Sequence, residues 1–483
     1  MNKILRPLLP KIHYIINSMA IFSQHYQEEI KKTFLLALPI VIAQLGVVLM
    51  GVTDNIMVGR YIGKIGLGSA GIANSMSFLI ASIGIGGLSV VAPLISKAKA
   101  ERNVPEINRL FRAGIKVSLW FSLLLGVIGF ICIYFFETFR QSPEINAQAP
   151  DFMAIIIVSN VFMFVFAAAK QLSDGLSRTY VAMMITVFGL ILNLIFNIVL
   201  INGYLGFPKM GLIGSATSTL ITRILMMLAL LYYLFNTKTF KKYINKRYKS
   251  LKTNDLVAMI FKIGVPSGLQ FFFEIAAFSL AVLMMGWLGE NQLAAHQIAI
   301  NVASTTYMMA SGLGIAGGIR VGEGLGLKDV RKIRFSANVA LLLVTIFMTA
   351  MMLVILVFNR FLVELYIADK EVIVIAMRLM IVAAIFQLSD GIQVVSLGIL
   401  RGISDVNIPT WITMFAYWVI SLPLGYLLAF ILEMDAMGIW FGLLAGLTVS
   451  AVLLTVRFYF LIKKIKLDQP KIILSSTSST LAH

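Results

Sequence analysis

The sequence predicts an all-α membrane protein with 12 transmembrane helices in two six-helix lobes, related by a pseudo-two-fold axis along the membrane normal. Three observations predict it: an apolar composition, loops that alternate in charge, and an internal repeat. Of 483 residues, 59% are hydrophobic and 13% charged, whereas a soluble domain carries about a quarter charged residues. Crossing the hydrocarbon core takes roughly 20 apolar residues per helix. Apolar segments of that length must satisfy their backbone internally and so are helical. The long runs of Leu, Ile, Val and Met lack the short alternating segments of an outer-membrane barrel.

In chain order, residues 1–32 read as a cytoplasmic amino-terminal arm, without the apolar core and small-residue cleavage site of a secretory signal. Spans follow near 33–57, 68–95, 113–136, 151–171, 180–202 and 210–235, which make an amino lobe over 33–235. A basic cytoplasmic linker occupies 236–255. Spans near 256–285, 292–319, 335–358, 372–397, 407–431 and 437–462 make a carboxyl lobe over 256–462. Residues 463–483 form a cytoplasmic tail, with Ser475 to Thr480 of low complexity. The single cysteine, Cys132, lies in an apolar run and supports neither a disulfide framework nor a cysteine-rich metal site.

The net charge of +18 raises the question of a nucleic-acid partner, but its distribution answers it. Every second loop is basic: Lys97, Lys99, Arg102, Arg109, Arg112 and Lys116 follow the second span, and Lys238, Lys241, Lys242, Lys246, Arg247, Lys249 and Lys252 fill the linker. The intervening loops carry acid, as in Glu137, Glu144, Glu364, Asp369, Glu371, Glu433 and Asp435. By the positive-inside rule the basic loops are cytoplasmic. Lys31 and Lys32 at the head, with Lys463, Lys464, Lys466 and Lys471 in the tail, then put both termini in the cytoplasm of a bacterial inner membrane. The expected surroundings are the lipid bilayer, with no nucleic-acid partner.

The repeat is read from residues at one constant spacing. Pro39 matches Pro266, Gly59 matches Gly286, Gly175-Leu-Ser matches Gly402-Ile-Ser, and Met210-Gly211 matches Met437-Gly438. Six spans per repeat give both lobes the same orientation. Duplicated halves of this kind are typical of secondary transporters, whose sites lie at the repeat interface.

Charge inside a bilayer is costly and marks candidate sites. Asp54 in the first span, Glu274 in the seventh and Asp390 in the tenth qualify, and no lysine or arginine within a span stands out as their structural partner. Their repeat counterparts are Ala281, Val47 and approximately Met163, so the lobes divide the chemistry unequally. Val47 and Asp54 are seven residues apart, two turns or roughly 10 Å on one face. The charges are therefore expected to face one cavity at different depths. Asn193 and Asn197, four residues apart in the fifth span, share a face. Thr219 in the sixth span completes a set with Asp54 whose oxygens suit a hard monovalent cation such as sodium, whereas a proton needs only the carboxylate. The same asparagines also suit hydrogen bonding between helices. His296 reads as a hydrogen-bonded packing residue. No Ser/His/Asp constellation or phosphate-binding glycine loop is present, so no catalytic residue and no enzyme activity are expected.

Four segments carry a resemblance: Pro39, Val52-Thr-Asp-Asn-Ile-Met-Val-Gly, Leu293-Ala-Ala-His-Gln-Ile-Ala, and Gln393 through Gly402 (QVVSLGILRG). Across nearly the whole chain these resemble the multidrug and toxic compound extrusion (MATE) exporters, the NorM-type branch in particular. The resemblance implies an antiporter that exchanges entering sodium or protons for leaving small organic cations. It would alternate between outward-open and inward-open V shapes, act as a monomer, and use no cofactor beyond the coupling ion. It places an amino-lobe cation site at Asp54, Asn193, Asn197 and Thr219, where sodium could bind, an acidic carboxyl-lobe pair at Glu274 and Asp390, and a bending point at Pro39. Phe386, four residues before Asp390, stands where relatives can carry tyrosine. A flippase for lipid-linked oligosaccharides of the same superfamily remains an alternative, as do a membrane-embedded enzyme and a channel. The first would need cavity cations for phosphate, the second clustered ligands, and neither stands out.

Overall fold

The computed structural model describes residues 9–139, 142–245 and 251–464. Lys246, Arg247, Lys249, Lys466, Lys471 and the Ser475–Thr480 stretch, all used above for orientation or order, lie outside the described residues. Among the described residues there is no strand, and 12 helices are long and apolar enough to cross a membrane. They are α1 (Leu9–Tyr61), α2 (Lys64–Ala100), α3 (Val104–Tyr134), α4 (Pro143–Gly175), α5 (Thr179–Asn202) and α6 (Gly211–Asn236). The second half has α7 (Asn254–Leu288), α8 (Glu290–Gly326), α9 (Val330–Val357), α10 (Lys370–Gly402), α11 (Asn407–Ile431) and α12 (Asp435–Lys464).

Local chemistry sets several of these boundaries. Asn103 caps α3 by accepting from the Glu106 amide at 3.1 Å, with Pro105 in the first turn. Asp329 caps α9 and Asp369 caps α10 in the same way. Gly203, at φ 77°, ends α5 in the left-handed region that glycine tolerates best. Two details add to the expected spans. The second span breaks at Ser89 and Val90, where the Ser89 hydroxyl turns back onto the Gly86 carbonyl at 2.6 Å. The first helix extends to Leu9, through residues read as an arm. Within α11, π-helical turns at Phe415–Ser421 and Leu427–Ile431 flank Pro423, so the span is continuous but locally widened.

The lobes share one plan. In the first, α1 packs on α5, α2 on α4, and α4 on α6; in the second, α7 packs on α11, α8 on α10, and α10 on α12. Between lobes the pairings cross: α1 meets α8 and α2 meets α7. Such reciprocal exchange is what a two-fold relation between the halves requires.

The close inter-lobe approaches fall toward the basic loops. On α2, Gly86 and Gly87 face Gly264, Ser267 and Gly268 of α7; a Cβ on Gly268 would sit 2.2 Å from the Ile83 carbonyl oxygen, so only glycine fits. Further along α2, Pro93 meets Gly322 of α8, and the Ser96 hydroxyl donates to the Ile319 carbonyl at 2.8 Å. Gln44 of α1 donates to Ser311 of α8 at 3.4 Å. In the opposite halves, a Cβ at Gly51, Gly71 or Gly286 would meet open space. The lobes therefore meet at the basic-loop end and part toward the other.

An ion cluster closes that end. Glu29 of α1, 7% exposed, accepts from Arg320 of α8 through both carboxylate oxygens, at 2.9 and 2.5 Å, and from the Ser336 hydroxyl of α9 at 2.7 Å. Arg320 also pairs with Glu323, which accepts from Lys332 at 2.8 Å. A bidentate guanidinium–carboxylate pair shielded from water resists screening, and removing one partner strands the other. Arg320→Ala is expected to cost about 3–5 kcal/mol, seen as a lower melting temperature in detergent, with part of the loss regained when Glu29→Ala is added.

Candidate functional site

Four residues singled out by spacing and charge converge in the amino lobe. Asn193 and Asn197 sit one turn apart on α5, both fully buried, and face α1 and α6. The Asp54 carboxylate on α1 accepts from Asn197 Nδ2 at 2.6 Å through one oxygen and from the Thr219 hydroxyl at 2.9 Å through the other. Asn193 Nδ2 donates to the Thr219 hydroxyl at 3.4 Å, and its Oδ1 accepts from Thr53 at 3.4 Å. Two bonds to the Asn193 carbonyl stiffen the cradle, one from Asn197 Nδ2 of the same helix at 2.9 Å and one from the Ser218 hydroxyl of α6 at 3.0 Å. Asn197 Oδ1 is buried and has no hydrogen-bond partner. An orphaned amide oxygen beside a carboxylate is the kind of donor a hard cation takes.

Glu274 of α7 and Asp390 of α10 lie in the other lobe, both buried. Gln393 Nε2 donates to Glu274 Oε1 at 3.4 Å and to the Tyr417 hydroxyl of α11 at 3.1 Å; that hydroxyl in turn lies 3.2 Å from Gln393 Oε1. Phe386 fills an apolar position, edge-on to Phe278 and Trp440 with ring centroids 6.2 and 5.7 Å away. His296 accepts from Trp440 Nε1 at 3.2 Å within this aromatic cluster. Pro39 lies inside an uninterrupted α1. Among the described residues no hydrogen bond or ion pair joins the Asp54 cluster to the Glu274 cluster.

Among the described residues no lysine or arginine forms an ion pair with these three carboxylates, but two arginines lie within the same lobes, held by neutral acceptors. Arg223 of α6, one turn beyond Thr219, donates to Ser159 Oγ at 2.6 Å and Asn160 Oδ1 at 2.7 Å on α4. Arg401 of α10 donates to Ser267 at 3.0 Å and Gln270 at 3.1 Å on α7, and lies over the Phe271 ring. Each is a charge within an apolar stretch, the same signal that singled out Asp54. Gln393 and Tyr417 carry no charge, and only the tertiary fold brings them to Glu274.

The family model described as MatE matches residues 39–199 and again 266–427, once in each lobe. A probable multidrug resistance protein NorM of Pasteurella multocida (strain Pm70) is 32% identical over 446 residues, which cover 89% of this chain and 94% of the relative. Multidrug resistance protein MdtK of Proteus mirabilis (strain HI4320) is 30% identical, over 91% of this chain and 97% of the relative. Among solved structures, the crystal structure of the eukaryotic MATE transporter AtDTX14 superposes with a TM-score of 0.83 at 20% identity, covering 90% of this chain and 96% of that one. An outward-facing multidrug resistance MATE family transporter of the MOP superfamily does so with a TM-score of 0.83 at 18% identity, covering 91% and 97%.

Gln393 is the hub of the carboxyl-lobe network, since its amide serves both Glu274 and Tyr417. Gln393→Leu is expected to destabilise the fold by about 1–3 kcal/mol by leaving buried polar groups short of a partner. The measurement is thermal unfolding in detergent, with wild-type protein alongside.

Proposed function

The chain belongs to the MatE family, and from that membership we infer that it is a secondary-active multidrug efflux antiporter working by alternating access. Twelve apolar helices place it in a membrane. With the basic loops in the cytoplasm of a bacterial inner membrane, both termini are cytoplasmic. The end at which the lobes meet then faces the cytoplasm.

The observation that carries the ion reading is the convergence on Asp54 of Asn197 and Thr219, with an unpartnered Asn197 oxygen beside them. Sodium is the coupling ion we assign to this cradle. A proton would be served by the carboxylate alone and would leave that oxygen without a role. Sodium bound there would exchange neutral donors for oxygen ligands, drawing α1, α5 and α6 together around it. Glu274 and Asp390, held in an aromatic and methionine-rich lobe, take up positive charge from a small organic cation or a second ion, and Pro39 gives α1 a point of bending. Nothing in the site favours catalysis over transport, and we assign the chain to transport as a monomer.

Ethidium-loaded proteoliposomes test this with sodium and proton gradients imposed separately. Sodium-driven efflux is expected, lost in Asp54→Asn. Asn197→Ala is expected to raise the half-saturating sodium concentration about tenfold, equivalent to about 1.4 kcal/mol. Efflux indifferent to any ion gradient sinks the antiporter reading; efflux intact in Asp54→Asn sinks only the ion site.

A further inference from the structure

The amino lobe holds a positive charge for which the transport reading has no use. Arg223 lies one turn beyond Thr219, the residue whose hydroxyl donates to Asp54. An arginine in a membrane helix ordinarily turns its head toward the interface. This one is held inside the lobe by Ser159 and Asn160, both 9% exposed or less. Its acceptors are neutral, and among the described residues no carboxylate forms an ion pair with it. On the same helix face one turn back, Thr219 donates to Asp54, whose direct hydrogen-bond donors are all neutral.

We propose that Arg223 is a tethered counter-charge that sets how tightly the Asp54 site holds its coupling cation. This rests on the reading of Asp54 as the ion site. An empty site without Arg223 would leave a carboxylate uncompensated inside the lobe, and a bound cation would be too costly to release. With the guanidinium nearby, the empty site is already balanced, so the cation binds more weakly and can exchange. Placement matters in both directions. A guanidinium in direct contact with Asp54 would close the site as an internal ion pair, and Ser159 and Asn160 hold it back. Arg223 is therefore a positioning residue, which acts on the ion through Asp54.

The test is calorimetric titration of sodium chloride, against choline chloride, into the purified full chain, together with sodium-driven ethidium efflux. Arg223→Gln is expected to tighten sodium binding about tenfold or more and to slow turnover, because release becomes limiting. Arg223→Lys keeps the charge and stays close to wild type. The double variant Ser159→Ala/Asn160→Ala frees the guanidinium to approach Asp54 and weakens sodium binding, a change of opposite sign; it also carries the test if Arg223→Gln does not fold. A purely structural tie between α4 and α6 predicts instead that Gln and Lys variants change alike, or that neither alters sodium affinity, and either result overturns the proposal. Sodium binding that survives Asp54→Asn overturns the ion-site reading itself, a separate failure.

Discussion

Everything else in the structure depends on how two lobes touch along one end. Helix backbones approach there closely enough that Gly268 has no room for a side chain against Ile83, and a desolvated pair, Glu29 with Arg320, spans the same seam. Lipid offers no hydrophobic force to hold two apolar lobes together, so association relies on close packing and polar bonds. Confining those to one end leaves the other halves of α1, α2, α7 and α8 free to part. Alternating access requires that seam to be strong enough to seal and still reversible, and a charged pair that can be rehydrated meets both conditions better than a packed apolar joint.

The two lobes share helix order and packing but not charge. Asp54 has Ala281 as its repeat counterpart, and Glu274 has Val47. At the ends of α4 and α10 the divergence takes another form: Asp174 precedes Gly175 and pairs with Lys170 of its own helix, whereas Arg401 precedes Gly402 and reaches across to α7. Polar residues were free to diverge once each lobe could specialise, one around a cradle of amides and a hydroxyl, the other around a carboxylate pair set among rings.

Much of this was legible beforehand. A bilayer dictates helix length, so all twelve spans could be located from apolar runs, and the spacing of Pro39 and Pro266 exposed the duplication. The Asp54 cradle was legible because Asn193 and Asn197 are one turn apart in a span where polar residues are rare. Other features depend on the tertiary fold. The break at Ser89 is an exception, since Pro93 four residues later cannot donate to the Ser89 carbonyl. Arg223 is tied to Ser159 and Asn160, whose positions carry no signal until α4 and α6 are packed together. Glu29 lies in a polar stretch that reads as an arm, and only its burial against Arg320 makes it part of the seam. Gln393 and Tyr417 are neutral, and a method that looks for misplaced charge passes over them.

The seam also has a history in time. Glu29 and Arg320 are separated by 291 positions, so at about 5–20 residues per second the ribosome needs roughly 15–60 s after making the carboxylate to supply its partner. During that interval the amino lobe inserts with its closing face bare, and α1 carries an acid whose arginine does not yet exist. Biogenesis of this chain therefore ends with a docking event: the first lobe waits as an open half, and sealing comes only when α8 emerges and turns back across it.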